Sequence, residues 1–198
     1  MVDLAEIQAA YYMVAATGVL VAAIYYIFNM RATLQTRQEA NKTQQQQIAR
    51  EEVNKKIQLT NTMLQTLYKE EAMKSVGELL NYQWSDTKDF LKKYDSSVNP
   101  DSFAKRISIF YLFETLGYLL KQGVIDKELI YINGGSTAIF LWAKFKPIIE
   151  MYRKLSYGSD SMTYFEYFAG EMWRMKKARD PTLVRDQTVN IDFRSIFE

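Results

Sequence analysis

The chain has 198 residues, 48% of them hydrophobic and 14% aromatic, with 25 Lys+Arg against 23 Asp+Glu and neither Cys nor His. That length holds one ordinary domain and an appendage. Without Cys there are no disulfides, thiolate nucleophiles or cysteine zinc sites, and without His the usual general base, the Ser-His-Asp triad and most transition-metal sites are lost. No cofactor and no metal is therefore expected, and a net charge of +2 with interspersed signs does not suit a nucleic-acid partner.

Ala9 to Phe28 reads AAYYMVAATGVLVAAIYYIF, 20 residues with no charge, side-chain amide or proline. A helix of that length spans roughly 30 Å, the hydrocarbon thickness of a bilayer. Tyr11 and Tyr12 near one end and Tyr25, Tyr26 and Phe28 near the other stand where interfacial aromatic rings collect. A cleaved signal peptide would need a basic start and a shorter apolar core, whereas Asp3 and Glu6 precede this stretch. The reading is a transmembrane anchor over 1–30. Arg31, Arg37, Lys42 and Arg50 follow the span and no Lys or Arg precedes it, which predicts the N-terminus outside and the remaining chain cytoplasmic, at the cell membrane. Ala15, Gly18 and Ala22 form a small-residue stripe of the kind that lets helices pack in lipid.

Residues 31–52 are rich in Gln, Thr and Arg and hold neither Gly nor Pro, so the helix is expected to continue as a polar stalk. Leu34 and Ile48 do not build a sustained heptad, and no strong coiled coil is predicted. From Val53, apolar residues at Ile57, Leu64, Leu67, Ala72, Val76, Leu79 and Leu80 mark one buried helical face, the start of a domain over 53–180. Ser85 is the expected cap of a short helix ending near Tyr94, and Pro100 fits the first turn of the next. Phe103 to Gln122 is apolar enough to suggest a second span. Lys105, Arg106, Glu114 and Lys121 argue for a core helix, closed by Gly123. Asp126 caps a short helix that Asn133, Gly134 and Gly135 should break; Ser136 starts another, which Pro147 should kink or reset. After a loop at Gly158 to Asp160, a last helix runs to Arg179, and 181–198 is a tail. The expected fold is all-α: a transmembrane helix, a helical stalk and a compact helical-bundle domain.

The stretches IQAAYYMVAATGVLVAAIYYIFNMR, WSDTKDFLKKY, FYLFETLGYLLKQGVID, LWAKFKPIIEMYR and YFEYF bring a family into view. Over most of residues 7–175 the chain resembles uncharacterised prokaryotic, largely archaeal, single-span membrane proteins with a helical domain of unknown function. The resemblance implies that architecture, with the domain on the cytoplasmic side, and supplies no catalytic residue.

Glu114 and Glu166, each flanked by aromatic rings, are the candidate carboxylate pair; buried and close together they would suit acid–base work. Arg106, Lys121, Arg153 and Arg174 are available as ion-pair partners, which makes buried structural ion pairs the stronger reading. Asp86, Asp89 and Asp95 lack calcium-loop spacing. Lys144, Lys146, Arg153 and Lys154, interleaved with Trp142, Phe145 and Tyr152, read as a solvated helix side, with anionic headgroups or RNA the alternative. Tyr167 and Trp173 are expected to border an exposed apolar patch for a partner, with complete burial against residues 53–80 the alternative. The function read from the sequence is a membrane-anchored helical interaction or scaffold protein without catalysis, contacting the bilayer and a protein partner or a second copy of itself. The alternatives are a membrane-attached enzyme using Glu114 and Glu166, and a membrane-perturbing effector.

Overall fold

Residues 4–67 contain no proline and a single glycine, so nothing interrupts i→i−4 hydrogen bonding, and they form one helix, α1 (Leu4–Leu67). This computed structural model describes residues 3–182, 185–186, 191–192 and 194–197. The chain divides into two compact units, Met1–Val53 and Asn54–Glu198.

In the first unit every described residue is exposed, including the apolar stretch long enough to cross a membrane. Beyond that stretch, the hydroxyls of Thr33, Thr36 and Thr43 donate to the carbonyls one turn back, at 2.8, 3.0 and 3.0 Å, so these polar side chains complete the helix surface without outside partners.

The second unit begins with the last turns of α1 and continues through α2 (Glu70–Asn81), α3 (Thr87–Tyr94), α4 (Pro100–Lys121), α5 (Lys127–Ile130), α6 (Ser136–Tyr152), α7 (Thr163–Arg179) and the short α8 (Arg194–Phe197). One antiparallel pair, β1 (Arg185–Asp186) with β2 (Ile191–Asp192), interrupts an otherwise all-α fold. The central helix α4 packs chiefly on α7, and α6 packs on α7 from another side. Their facing rings make the core: Phe113 stacks on Phe165 at 5.1 Å, and Phe110 meets Phe145 edge-on at 5.2 Å. Local signals set the helix ends. Asn99 caps α4, with Pro100 in its first turn, and Gly123, at φ 71°, leaves it. Asp126 caps α5 by accepting from the Leu129 N–H at 2.8 Å.

Four local expectations need correction. The face over 53–80 is not one helix: Tyr68 and Lys69 separate α1 from α2, and the Tyr68 phenol donates to the Asn133 carbonyl. The break lets Leu64 and Leu67 reach the core from one direction and Val76 and Leu79 from another, while Val53 (54% exposed) and Ile57 (39%) stay outside. The cap of α3 is Asp86, not Ser85; Ser85 instead donates its N–H to Asp89 at 3.0 Å. Asn133, Gly134 and Gly135 do not break the chain, which passes as a single π-turn (Tyr131–Gly135) into α6. These glycines serve close packing: a methyl on Gly134 would lie 3.0 Å from the Leu67 side chain, and one on Gly135 3.1 Å from the Met172 sulfur. Pro147 does not reset α6, which continues to Tyr152.

Candidate functional site

The longest apolar helix of the domain carries adjacent cations of opposite fate. Lys105 and Arg106 differ by about 100° around α4. Lys105 therefore points outward and pairs with Glu78 at 2.5 Å, while Arg106 shares the inward face of Ser102, Ile109 and Phe113 and is 1% exposed. Rings surround its guanidinium: Phe90, Phe103 and Tyr152, at 4.8, 5.4 and 5.6 Å from ring centre to charge centre. Such faces offset part of the cost of desolvating a cation. Its Nη1 also donates to the Tyr94 carbonyl at 3.4 Å.

Arg106 lines a cavity of about 340 Å³ between α4, the end of α6 and the loop residues just before α7, with Ile107, Phe110, Ile149, Tyr152 and Met162 in its wall. The size and the mostly apolar lining match small-ligand sites. The polar side of the cavity is ordered from behind. The Tyr152 hydroxyl donates to Asp95 at 2.9 Å, and Asp95 also accepts from the backbone N–H of Ser97 at 3.2 Å and its hydroxyl at 2.9 Å. These Ser97 bonds hold the Asp95 carboxyl below the usual carboxylate range, and burial together with the Asp95 bond raises the Tyr152 phenol.

The backbone is irregular at the same edge. α6 ends in a π-turn (Arg153–Tyr157), Gly158 has φ 81°, and Met162 holds a left-handed conformation at φ 58°. A non-glycine residue pays for that conformation, and such strain persists where the surroundings enforce it. Here the Arg153 Nε donates to the Ser161 carbonyl at 2.7 Å, Arg153 pairs with Glu166 at 2.9 Å, and Met162 is buried.

The predicted site residues are scattered. Glu114 accepts the Phe165 backbone N–H at 2.6 Å and so caps the start of α7, whereas Glu166 (45% exposed) belongs to the Arg153 pair. Trp173 requires a correction: it is not exposed, being 2% exposed and stacked on Phe197 at 5.6 Å. Tyr167 is half-buried against the core with the Lys121 ammonium 5.9 Å from its ring centre. Ala15, Gly18 and Ala22 are all exposed; a shallow groove at Gly18 is lined by Met13, Val14, Thr17 and Val21, and not by the two alanines. The basic stretch is also divided. Lys144 donates to the Leu80 carbonyl and, at 2.7 Å, to that of Tyr82, closing the end of α2, and burial lowers its pKa; Lys146 donates to the Ile196 carbonyl at 2.9 Å. Among the described residues no three acidic side chains converge on a position for a metal ion.

The sequence reading missed Arg106 as a site residue, along with Tyr152, Asp95 and Met162. A signal for Arg106 was present in its helical phase, four residues after Ser102 and seven before Phe113 on the core face. None existed for Met162, which lines the cavity from the loop before α7, or for Asp95, which stands behind Tyr152 and holds its hydroxyl.

A family model described as a domain of unknown function, DUF4760, matches residues 12–173. The chain belongs to the DUF4760 family. The matched segment starts within the apolar part of α1 and ends at Trp173 in α7, so the DUF4760 unit includes both the exposed apolar helix and every residue of the cavity wall. No curated protein and no solved structure matches the chain.

Proposed function

We propose that this DUF4760 protein is a single-pass membrane protein with its N-terminus outside, whose cytoplasmic helical domain is a binding or scaffold module without catalytic turnover. The observation that carries the reading is that none of the apolar stretch of α1 is covered by protein, with Val14, Val19 and Tyr25 about 70% exposed. An uncovered apolar surface of that size has a natural solvent in lipid. The basic residues Arg31, Arg37, Lys42 and Arg50 support the orientation. The binding role is supported by the cavity beside Arg106, while Glu114 and Glu166 are each occupied by a structural partner. Association of two spans at the Gly18 groove is the self-assembly this surface favours.

The absence of native cysteine makes the topology directly testable. Ala5→Cys should react with a membrane-impermeant maleimide on intact cells, and Ser97→Cys only after lysis. The reverse labelling overturns the orientation, and release of the full chain by alkaline carbonate overturns the membrane reading. Gly18→Leu should weaken cross-linking between copies in the membrane if the spans associate there.

A further inference from the structure

The described wall residues of the cavity all lie in the second unit, so what it accepts is set within the domain. The first constraint is charge. Arg106 is the one charged residue among the described residues of the wall, and its guanidinium is engaged by the protein. It is 1% exposed, lies against the rings of Phe90, Phe103 and Tyr152, donates to the Tyr94 carbonyl and also bonds the Tyr152 oxygen. The Tyr152 hydroxyl gives its proton to Asp95. The Ser161 backbone is engaged too, its carbonyl accepting from Arg153 and its N–H donating to the Gly158 carbonyl. A charged ligand would lose its hydration here and meet groups already committed to one another, so desolvation opposes it.

The second constraint is the surface of the wall. Phe103, Phe110, Tyr111 and Tyr152 bring four rings to the cavity, and the left-handed Met162 places a buried thioether there. Rings receive other rings edge-on or offset, and a thioether beside a ring is favourable. A dry apolar cavity of about 150 Å³ is enough for benzene, so about 340 Å³ suits a molecule of two fused rings. Tyr111 is 58% exposed and Ile107 half-buried, which opens the cavity to solvent beside them. We propose that this cavity binds an uncharged bicyclic aromatic molecule, held by ring and thioether contacts and not by a charge. The inference rests on the binding role of the domain; the labelling and carbonate tests of the anchor have readouts of their own and stand whatever the outcome here.

The test is calorimetric titration of the full chain in nanodiscs with indole, indole-3-acetate, tryptamine and 1-octanol, protein-free nanodiscs serving as the blank. Indole should bind saturably, at least about tenfold more tightly than its anionic and cationic relatives and several-fold more tightly than 1-octanol, which offers apolar contact without a ring. Ile107→Trp places a bicyclic ring of the protein in the cavity and should abolish indole binding. Tyr111→Ala removes a ring at the exposed mouth and should weaken indole by at least about threefold, so the proposal stays testable even if the Ile107 variant does not fold. No saturable indole binding, a charged relative or 1-octanol binding as tightly as indole, or indole affinity unchanged in either folded variant overturns it.

Discussion

The carboxylate of Glu114 on α4 accepts the backbone N–H of Phe165 in the first turn of α7, at 2.6 Å. The residue at the N-cap of α7 is Met162, which has no side-chain acceptor, so the cap arrives from another helix. A negative charge at that end also complements the helix dipole. Glu114→Ala should therefore lower stability by about 1–2 kcal/mol, and Glu114→Gln, which keeps an acceptor, by less. Urea denaturation of the three proteins checks the order; equal midpoints would show that the cap contributes nothing.

Gly117, one turn along α4 from Glu114, is the contact that brings α4 against α7. A methyl group there would overlap the Tyr164 carbonyl oxygen, which is backbone and cannot rotate away. Gly117→Ala should cost about 3 kcal/mol. Gly77 in α2 has open space around its Cα, so Gly77→Ala should instead stabilise by up to about 1 kcal/mol through helix propensity. Thermal unfolding of both variants tests the contrast, and a Gly117→Ala protein as stable as the parent would refute the close contact.

The stacking of Trp173 on Phe197 makes the end of the chain part of the domain surface. Phe197→Ala should increase quenching of tryptophan fluorescence by acrylamide and cost about 1 kcal/mol. Unchanged quenching would mean that Trp173 is covered by other residues.

The Asp95–Tyr152 bond gives stability a dependence on pH at both extremes. The Asp95 carboxyl is held low chiefly by Ser97 and less by Tyr152, so its contribution is present above pH 3.8 and is lost as pH falls through its lowered value. The Tyr152 phenol is raised by burial and by Asp95, so the contribution is complete below pH 10.0 and is lost as pH rises through its raised value. Tyr152→Phe should cost about 1 kcal/mol near neutrality, remove the alkaline loss due to this group and leave most of the acid loss. Denaturation midpoints across pH, parent against variant, decide it; an identical alkaline slope in both contradicts the assignment.

Much of the architecture was legible in the order of residues. An uninterrupted run without proline determined the continuous α1, composition determined its exposed apolar part, and local punctuation at Pro100, Gly123 and Asp126 marked where helices begin and end. Such signals act within one turn of chain, which is why they can be read from spacing. What tertiary structure decided was which groups meet. Trp173 was expected outside and is covered by Phe197, 24 positions later, and the glycines at 134 and 135 look like breakers yet serve as packing notches for Leu67 and Met172. Glu114 and Glu166, alike in their aromatic surroundings along the chain, take separate structural partners in Phe165 and Arg153. The cavity belongs wholly to this second class. Helical phase alone turns Arg106 inward, but only the packing of α3 and α6 against α4 brings Phe90 over it and sets Tyr152, itself held by Asp95, beside it. Periodicity reports the face a residue takes, and the approach of elements distant in sequence determines what that face encounters.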